Sequence, residues 1–131
     1  MTSSIRAIVA GHGKLALGLV SAVNVITGRG DSLRAVSNEG LGAAEVTNAL
    51  ARALEETGAT VMFTDLPAGS CTLAARRLQR DRPNLLVVTG VNLPLLLEFV
   101  LHAGVEAADV ARAGLVTDIE LFEEFPTNYE V

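Results

Sequence analysis

The chain has 131 residues, of which half are hydrophobic and only 4% are aromatic, and its formal net charge is −5. This length fits one domain of typical size, so we expect residues 1–131 to form a single unit. Because the acidic balance provides no basic surface to neutralise phosphates, nucleic-acid binding is not expected. The aliphatic core that this composition implies is typical of a parallel sheet flanked by helices.

Four short apolar runs, each followed by a segment with helical periodicity, predict the secondary structure of most of the chain. Strands are predicted at residues 5–10, 33–36, 60–64 and 84–89. A helix is predicted after each strand, the third beginning near Ser70 and the fourth, almost wholly apolar, covering residues 93–102. This order predicts an α/β fold, a doubly wound and mainly parallel four-stranded sheet with helices on both faces. In the tail, residues 105–131, the segment GLVTDIELF could form one extra C-terminal strand.

A histidine between two glycines follows the first predicted strand, in the sequence Gly11-His12-Gly13. Ligands of doubly wound sheets bind beyond the carboxyl ends of the strands, which is where His12 would lie. Glycines at such a turn permit unusual dihedral angles and the close approach of a second molecule. The pattern therefore makes His12 a candidate nucleophile, the alternative being a turn that merely contains a histidine.

A carboxylate follows the third predicted strand, where Thr64 leads directly into Asp65. If the first and third strands are neighbours, Asp65 can accept a hydrogen bond from Nδ1 of His12. That bond would fix the tautomer of the imidazole and leave Nε2 as the nucleophile. The alternative is a loop carboxylate that bonds nearby backbone N–H groups.

The third helix begins with Gly69, Ser70 and Cys71, and the free N–H groups at a helix start suit phosphoryl oxygens. Ser70 can add its hydroxyl to such a site, or it can serve as the helix N-cap. The thiol of Cys71 is either a low-pKa group or a packed side chain. Asn92 is predicted to cap the fourth helix, and His102 is predicted to interact with the end of that helix.

Several other kinds of site lack their usual residues. The chain contains neither G-x-G-x-x-G after its first strand nor G-x-x-x-x-G-K-[ST], which argues against dinucleotide and P-loop nucleotide binding. Two histidines and one cysteine, far apart in sequence, do not predict a zinc site, and a single cysteine excludes an internal disulfide. With no apolar run near the ~20 residues that span a bilayer and no signal-peptide pattern, we expect a cytoplasmic protein.

Three segments, AIVAGHGKLALGL, MFTDLPAGSCTLAARR and VVTGVNLPLLLEFV, resemble the mannose-type IIA domains of the bacterial phosphoenolpyruvate-dependent sugar phosphotransferase system. The resemblance covers about residues 5–103, with the segments in the same order. It implies a doubly wound fold that is commonly dimeric. It further implies that His12 is phosphorylated on Nε2 by the phosphocarrier protein HPr and passes the phosphoryl group to a histidine of a IIB component.

The resemblance also implies roles for the residues around His12. Asp65 matches the aspartate that holds the histidine, and Gly69 and Ser70 match the pair at the helix start. Ser70 and the N–H groups from Gly69 to Cys71 would receive the phosphoryl oxygens, with no metal or cofactor. Two local departures stand out: Ala68 replaces a glycine, so a positive φ is not expected there, and Cys71 replaces a proline.

The sequence thus predicts a phosphotransferase, a phosphohistidine-carrying IIA component that serves sugar uptake together with membrane permease components, and a homodimer. Two other hypotheses stay open. One is a regulatory IIA protein whose phosphorylation state is sensed without a permease. The other is a non-catalytic module that binds a small anion at the helix that begins near Ser70. The identity of the sugar cannot be predicted, because such IIA domains handle phosphohistidine and never contact the sugar.

Overall fold

A computed structural model describes residues 5–102 of the chain, and the predicted strand within residues 105–131 lies outside that range. Strands and helices alternate through the described part. The strands are β1 (Ala7–Gly11), β2 (Leu33–Ser37), β3 (Val61–Thr64) and β4 (Leu86–Val88). The helices are α1 (Leu15–Thr27), α2 (Ala43–Thr57), α3 (Ser70–Asp81) and α4 (Leu93–Leu101), with a short 3₁₀ turn (Gly30–Ser32) before β2. None of the helices in residues 5–102 is long and apolar enough to cross a membrane.

The four strands form one sheet in the order β2-β1-β3-β4, and every neighbouring pair is parallel. The predicted doubly wound, parallel four-stranded sheet is therefore confirmed. Ala10 pairs with Val36 on one side and with Thr64 on the other, so β1 lies at the centre beside both partners. The condition set for a contact between Asp65 and His12, that the first and third strands be neighbours, is met.

The predicted start of the fourth strand is wrong by two residues. Asn84 and Leu85 belong to a turn in which the N–H of Leu85 donates to the carbonyl of Arg82 at 2.9 Å. Pro83, inside this turn, has no N–H and restricts the backbone of the residue before it, so the chain enters the sheet only at Leu86.

Two apolar layers cover the sheet, one on each face. Ala7 and Val9 of β1 face a layer with α1 and α4, while Ile8 and Ala10 face a layer with α2 and α3. Since successive side chains of a strand point to opposite faces, a strand covered on both sides must be apolar throughout. All five residues of β1 are buried, which explains its uninterrupted apolar run.

The helices that follow β1 and β3 lie on opposite faces of the sheet, α1 on one and α3 on the other. The chain order also reverses at this point, because β2 lies on one side of β1 and β3 on the other. Such a switch point leaves a crevice beyond the carboxyl ends of the strands, between two diverging loops. The loops that carry His12 and Asp65 border this crevice.

Candidate functional site

His12 lies on a tight turn between β1 and α1. Gly13 has a φ of +56°, a left-handed conformation that a residue with a side chain rarely adopts, and the N–H of Leu15 donates to the carbonyl of His12 at 3.2 Å. The turn lifts the imidazole out of the buried strand, and about half of the His12 side chain (49%) is exposed. The ring is therefore open to a second molecule.

Asp65 holds the imidazole from the end of the neighbouring strand. One carboxylate oxygen, Oδ2, accepts the backbone N–H of His12 at 2.9 Å and lies 2.7 Å from Nδ1 of the same residue. A carboxylate can only accept, so Nδ1 carries the proton and the lone pair of the neutral ring resides on Nε2. Both alternatives considered for Asp65 apply, because it bonds a backbone N–H and orients the ring.

The carboxylate of Asp65 is itself buried, with 7% of the side chain exposed. Its second oxygen, Oδ1, is inaccessible and has no hydrogen-bond partner within the described residues. Within the described part of the chain, the negative charge of Asp65 is thus hydrogen-bonded to His12 alone. A buried charge with so little compensation interacts strongly with any positive charge on the adjacent ring.

Gly69 brings the start of α3 against the imidazole. It is the N-cap of α3, with extended backbone (φ −173°), and a Cβ placed on it would lie 3.3 Å from Cε1 of His12. Ser70 is the first residue of the helix, so of the two roles considered for it, that of N-cap is excluded. The first N–H groups of α3 have no carbonyl partner inside the helix and point outward from its start. A side chain at the position of Gly69 would therefore press on the imidazole ring.

Cys71 follows in the first turn of α3, but its side chain points into the core. It packs in the layer formed with α2 and α3, and it is almost wholly buried. Burial, together with the nearby charge of Asp65, raises the pKa of the thiol to about 11, against a hydrogen bond with Ser70 that lowers it. The interpretation of Cys71 as a low-pKa thiol is therefore wrong. Only its backbone N–H is available for a ligand at the start of α3.

The other polar residues considered in the sequence have local roles. Between residues 5 and 102 only glycines adopt positive φ, so Ala68 fits its loop without backbone strain. Asn92 caps α4 by accepting the N–H of Leu95 at 2.9 Å, as predicted. His102 ends the same helix, where Nδ1 lies 2.8 Å from the carbonyl oxygen and 3.0 Å from the carboxylate of Glu98. Within residues 5–102, no three His, Cys, Asp or Glu side chains are grouped to hold a metal.

Asn38 is a site residue that the sequence analysis missed. It follows β2 directly, and its side-chain amide donates to Oγ of Ser70 at 2.8 Å. The loops after β1 and β3 were predicted to carry site residues, but no site residue was predicted in the loop after β2. The available signal was the pair Ser37-Asn38, which consists of polar residues at the end of β2, on the same edge of the sheet as His12.

Comparison with known proteins agrees with this fold. Residues 6–114 match the family model described as the phosphotransferase system fructose IIA component. The chain therefore belongs to this family and is a IIA component of the sugar phosphotransferase system. None of the curated proteins matches it.

Solved structures of IIA proteins have the same fold. One is the phosphotransferase system component EIIA from Streptococcus agalactiae, with 25% identity and a TM-score of 0.74 over 86% of this chain and 90% of that one. The mannose/sorbose-specific IIA subunit from Enterococcus faecalis has 23% identity and a TM-score of 0.71, over 88% and 89%. The IIA protein associated with the fucose utilization operon of Streptococcus pneumoniae has 21% identity and a TM-score of 0.78, over 95% and 99%.

Replacing Gly69 by alanine tests the close approach of α3 to His12. The extended backbone accepts alanine without strain, but the new methyl group would lie 3.3 Å from Cε1 of the imidazole. We expect a folded protein whose His12 ring is displaced, which changes the Cε1–H signal of His12 in a ¹H–¹³C NMR spectrum. Gly42→Ala is the matched control, since Gly42 is the extended N-cap of α2. An unchanged His12 signal in Gly69→Ala would contradict the packing described above.

The buried thiol of Cys71 predicts a pH dependence of stability. The folded protein keeps the thiol proton up to about pH 11, whereas an unfolded chain releases it near the ordinary pKa of 9.0. The unfolded state therefore binds fewer protons between these values, and the free energy of unfolding falls as pH rises from 9 to 11. Urea unfolding of wild type and Cys71→Ala over this range measures the effect, which the variant should lack. Equal slopes for both proteins would show that Cys71 does not titrate in this way.

Proposed function

We propose that this IIA component is a phosphoryl carrier that accepts a phosphoryl group from phospho-HPr on Nε2 of His12 and passes it to a IIB component for sugar uptake. Membership of the IIA family supports the general role. The observation that carries the assignment to His12 is the 2.7 Å contact between its Nδ1 and Oδ2 of Asp65. This contact selects the tautomer whose free lone pair is on the other ring nitrogen, Nε2.

The transfer is an in-line displacement between two imidazoles. The lone pair on Nε2 of His12 forms the new P–N bond, and the P–N bond to the donor histidine breaks with its electron pair returning to the donor ring. Nδ1 of His12 keeps its proton throughout, so positive charge develops on the ring as the new bond forms. The carboxylate of Asp65 stabilises that charge, and transfer to the IIB component reverses the same step.

The start of α3 provides the electrostatic environment for the phosphoryl oxygens. Gly69 approaches the ring atom Cε1, which is bonded to Nε2, so a group on Nε2 lies next to the first turn of the helix. The backbone N–H groups there and the hydroxyl of Ser70 are donors in the position where negative charge arrives. The protein's contribution is thus positioning and charge stabilisation.

The surroundings of His12 suit partners that bind in turn. Leu15, the first residue of α1, and Leu66, in the loop after β3, are about half exposed, and Leu66 lies beside Gly69. Exposed leucines next to a reactive imidazole offer apolar contact area for a docking protein. HPr and the IIB component would use this one patch alternately, because each must bring a histidine to the same Nε2.

The proposed function predicts phosphorylation of one residue. Incubated with phosphoenolpyruvate, enzyme I and HPr, the protein should gain one phosphoryl group on His12, detected by mass spectrometry of the intact chain. The linkage should be lost in acid and retained in base, as expected for a phosphoramidate and unlike a phosphoserine on Ser70. His12→Ala should abolish labelling, and His102→Ala is the matched control that should leave it nearly unchanged.

Two outcomes would refute the carrier. Labelling that persists in His12→Ala would place the phosphoryl group elsewhere. A wild type that is not labelled by a competent cognate HPr but retains a small anion without covalent change would favour the anion-binding module instead. Genes for IIB, IIC and IID components beside this one would support transport over a regulatory role.

The contribution of Asp65 is tested by Asp65→Asn, which preserves size and removes the charge. An asparagine also no longer selects the reactive tautomer, so phosphoryl transfer from phospho-HPr should slow by about 10²-fold or more. Rapid-quench measurements of the labelling rate, with circular dichroism to verify folding, give the answer. Transfer at the wild-type rate would show that the charge of Asp65 does not contribute to transfer and that Asp65 serves only to bond nearby backbone N–H groups.

A homodimer is also proposed, and the surface of α1 supports it. Leu17, Val25 and Ile26 on this helix are all more than half exposed within the described structure, and exposed apolar side chains of this kind are often covered by another subunit. Light scattering on dilute protein should give a mass of about 27 kDa, twice the 13.7 kDa of the chain. Val25→Lys should shift the mass toward the monomer, whereas Leu73→Lys on α3 should not. A monomer mass for the wild type would exclude the dimer.

A further inference from the structure

Two hydrogen bonds hold the chain around Asn38 against the turn that carries His12. Its backbone N–H donates to the carbonyl of Gly11 at 3.2 Å, which continues the pairing of β1 and β2 past the end of β2. The preceding hydroxyl, that of Ser37, donates to the carbonyl of Gly13 at 2.7 Å. Both glycines flank His12, so the position of Asn38 is fixed relative to the reactive imidazole.

The side chain of Asn38 reaches across the crevice to α3. Its amide nitrogen donates to Oγ of Ser70 at 2.8 Å, over a separation of 32 residues. This contact joins the loop after β2 to the start of the helix that faces His12. A side chain that only stabilised the helix start would bond a backbone N–H as a cap, but Asn38 bonds a hydroxyl instead.

The direction of this hydrogen bond decides what the hydroxyl of Ser70 can do. A serine hydroxyl has one proton to donate and two lone pairs to accept with. The amide N–H of Asn38 occupies a lone pair, so the hydroxyl proton must point elsewhere. A phosphoryl oxygen on Nε2 of His12 would be a strong acceptor for that proton.

We propose that Asn38 is a positioning residue that holds the hydroxyl of Ser70 as a hydrogen-bond donor to the phosphoryl group carried by His12. The inference rests on the proposed carrier function and assigns it a further residue, from a loop on the far side of β1. A neutral amide suits this position. A carboxylate there would accept the hydroxyl proton itself and would add negative charge beside the arriving phosphoryl group.

The experiment is a double-mutant cycle on the rate of transfer from phospho-HPr to His12, measured by rapid quench with Asn38→Ala, Ser70→Ala and the double variant. A hydrogen bond to a charged group predicts that Ser70→Ala slows transfer by about tenfold or more. Asn38→Ala removes the hydrogen bond that orients the hydroxyl of Ser70 but leaves that hydroxyl in place, so it should slow transfer by about three- to tenfold. The double variant should match Ser70→Ala, because Asn38 acts through Ser70.

Asn38→Asp tests the direction of the hydrogen bond. Aspartate has nearly the same shape but can only accept, so it should slow transfer more than Asn38→Ala, and by a smaller factor when Ser70 is already alanine. Asn48→Ala and Asn48→Asp are the matched controls, since Asn48 is exposed on α2. Both should transfer at the wild-type rate.

The outcomes separate this inference from the function on which it rests. If wild type is labelled on His12 while Asn38→Ala and Asn38→Asp transfer at its rate, the assignment to Asn38 is overturned and the carrier stands. Additive losses in the double variant would show that Asn38 acts on the loop rather than through Ser70, which also overturns it. A wild type that accepts no phosphoryl group from HPr overturns the carrier and this inference with it.

Discussion

Oδ2 of Asp65 accepts two N–H groups from a single residue, the backbone N–H and Nδ1 of His12, at 2.9 and 2.7 Å. With both contacts in place, neither the turn nor the ring can rotate independently of the carboxylate. The second oxygen of Asp65 has no partner within the described residues, so the charge of the carboxylate is directed at His12. This pair of hydrogen bonds defines which ring nitrogen keeps its lone pair, and the proposed transfer depends on that nitrogen.

The sheet order makes this interaction possible. Asp65 and His12 are 53 residues apart in the chain, but β1 and β3 are adjacent and end at the same edge. The close approach of Gly69 then places α3 beside the ring without any side chain between them. The imidazole of His12 contacts the start of α3 for three reasons: the order of the strands, the two hydrogen bonds to Asp65 and the absence of a side chain at Gly69.

Much of this arrangement could be predicted from the sequence because its signals are local. Apolar runs predicted the strands, and polar residues directly after β1 and β3 predicted His12 and Asp65 at one edge. The start of α3 was less predictable, since whether Gly69 or Ser70 is the cap depends on backbone angles that a short loop does not specify. The thiol of Cys71 was ambiguous for a similar reason, because its pKa depends on the direction in which the side chain packs.

Asn38 could not be predicted as a partner of Ser70, because nothing in either residue's neighbourhood indicates a contact across 32 residues. The polar pair after β2 was visible, but it became meaningful only when β2 was seen beside β1. The family resemblance did not help either, since the three segments that carry it do not include the loop after β2.

The exposure of His12 has a consequence for the lifetime of the phosphorylated form that the proposed function requires. About half of the side chain is open to solvent, whereas the carboxylate that supports it is buried. If His12 carries a phosphoryl group as proposed, the exposure that would admit a partner's histidine would also admit water, which can attack the same phosphorus and release inorganic phosphate. Hydrolysis would then compete with delivery, and the yield of the proposed transfer would depend on how quickly the next protein arrives.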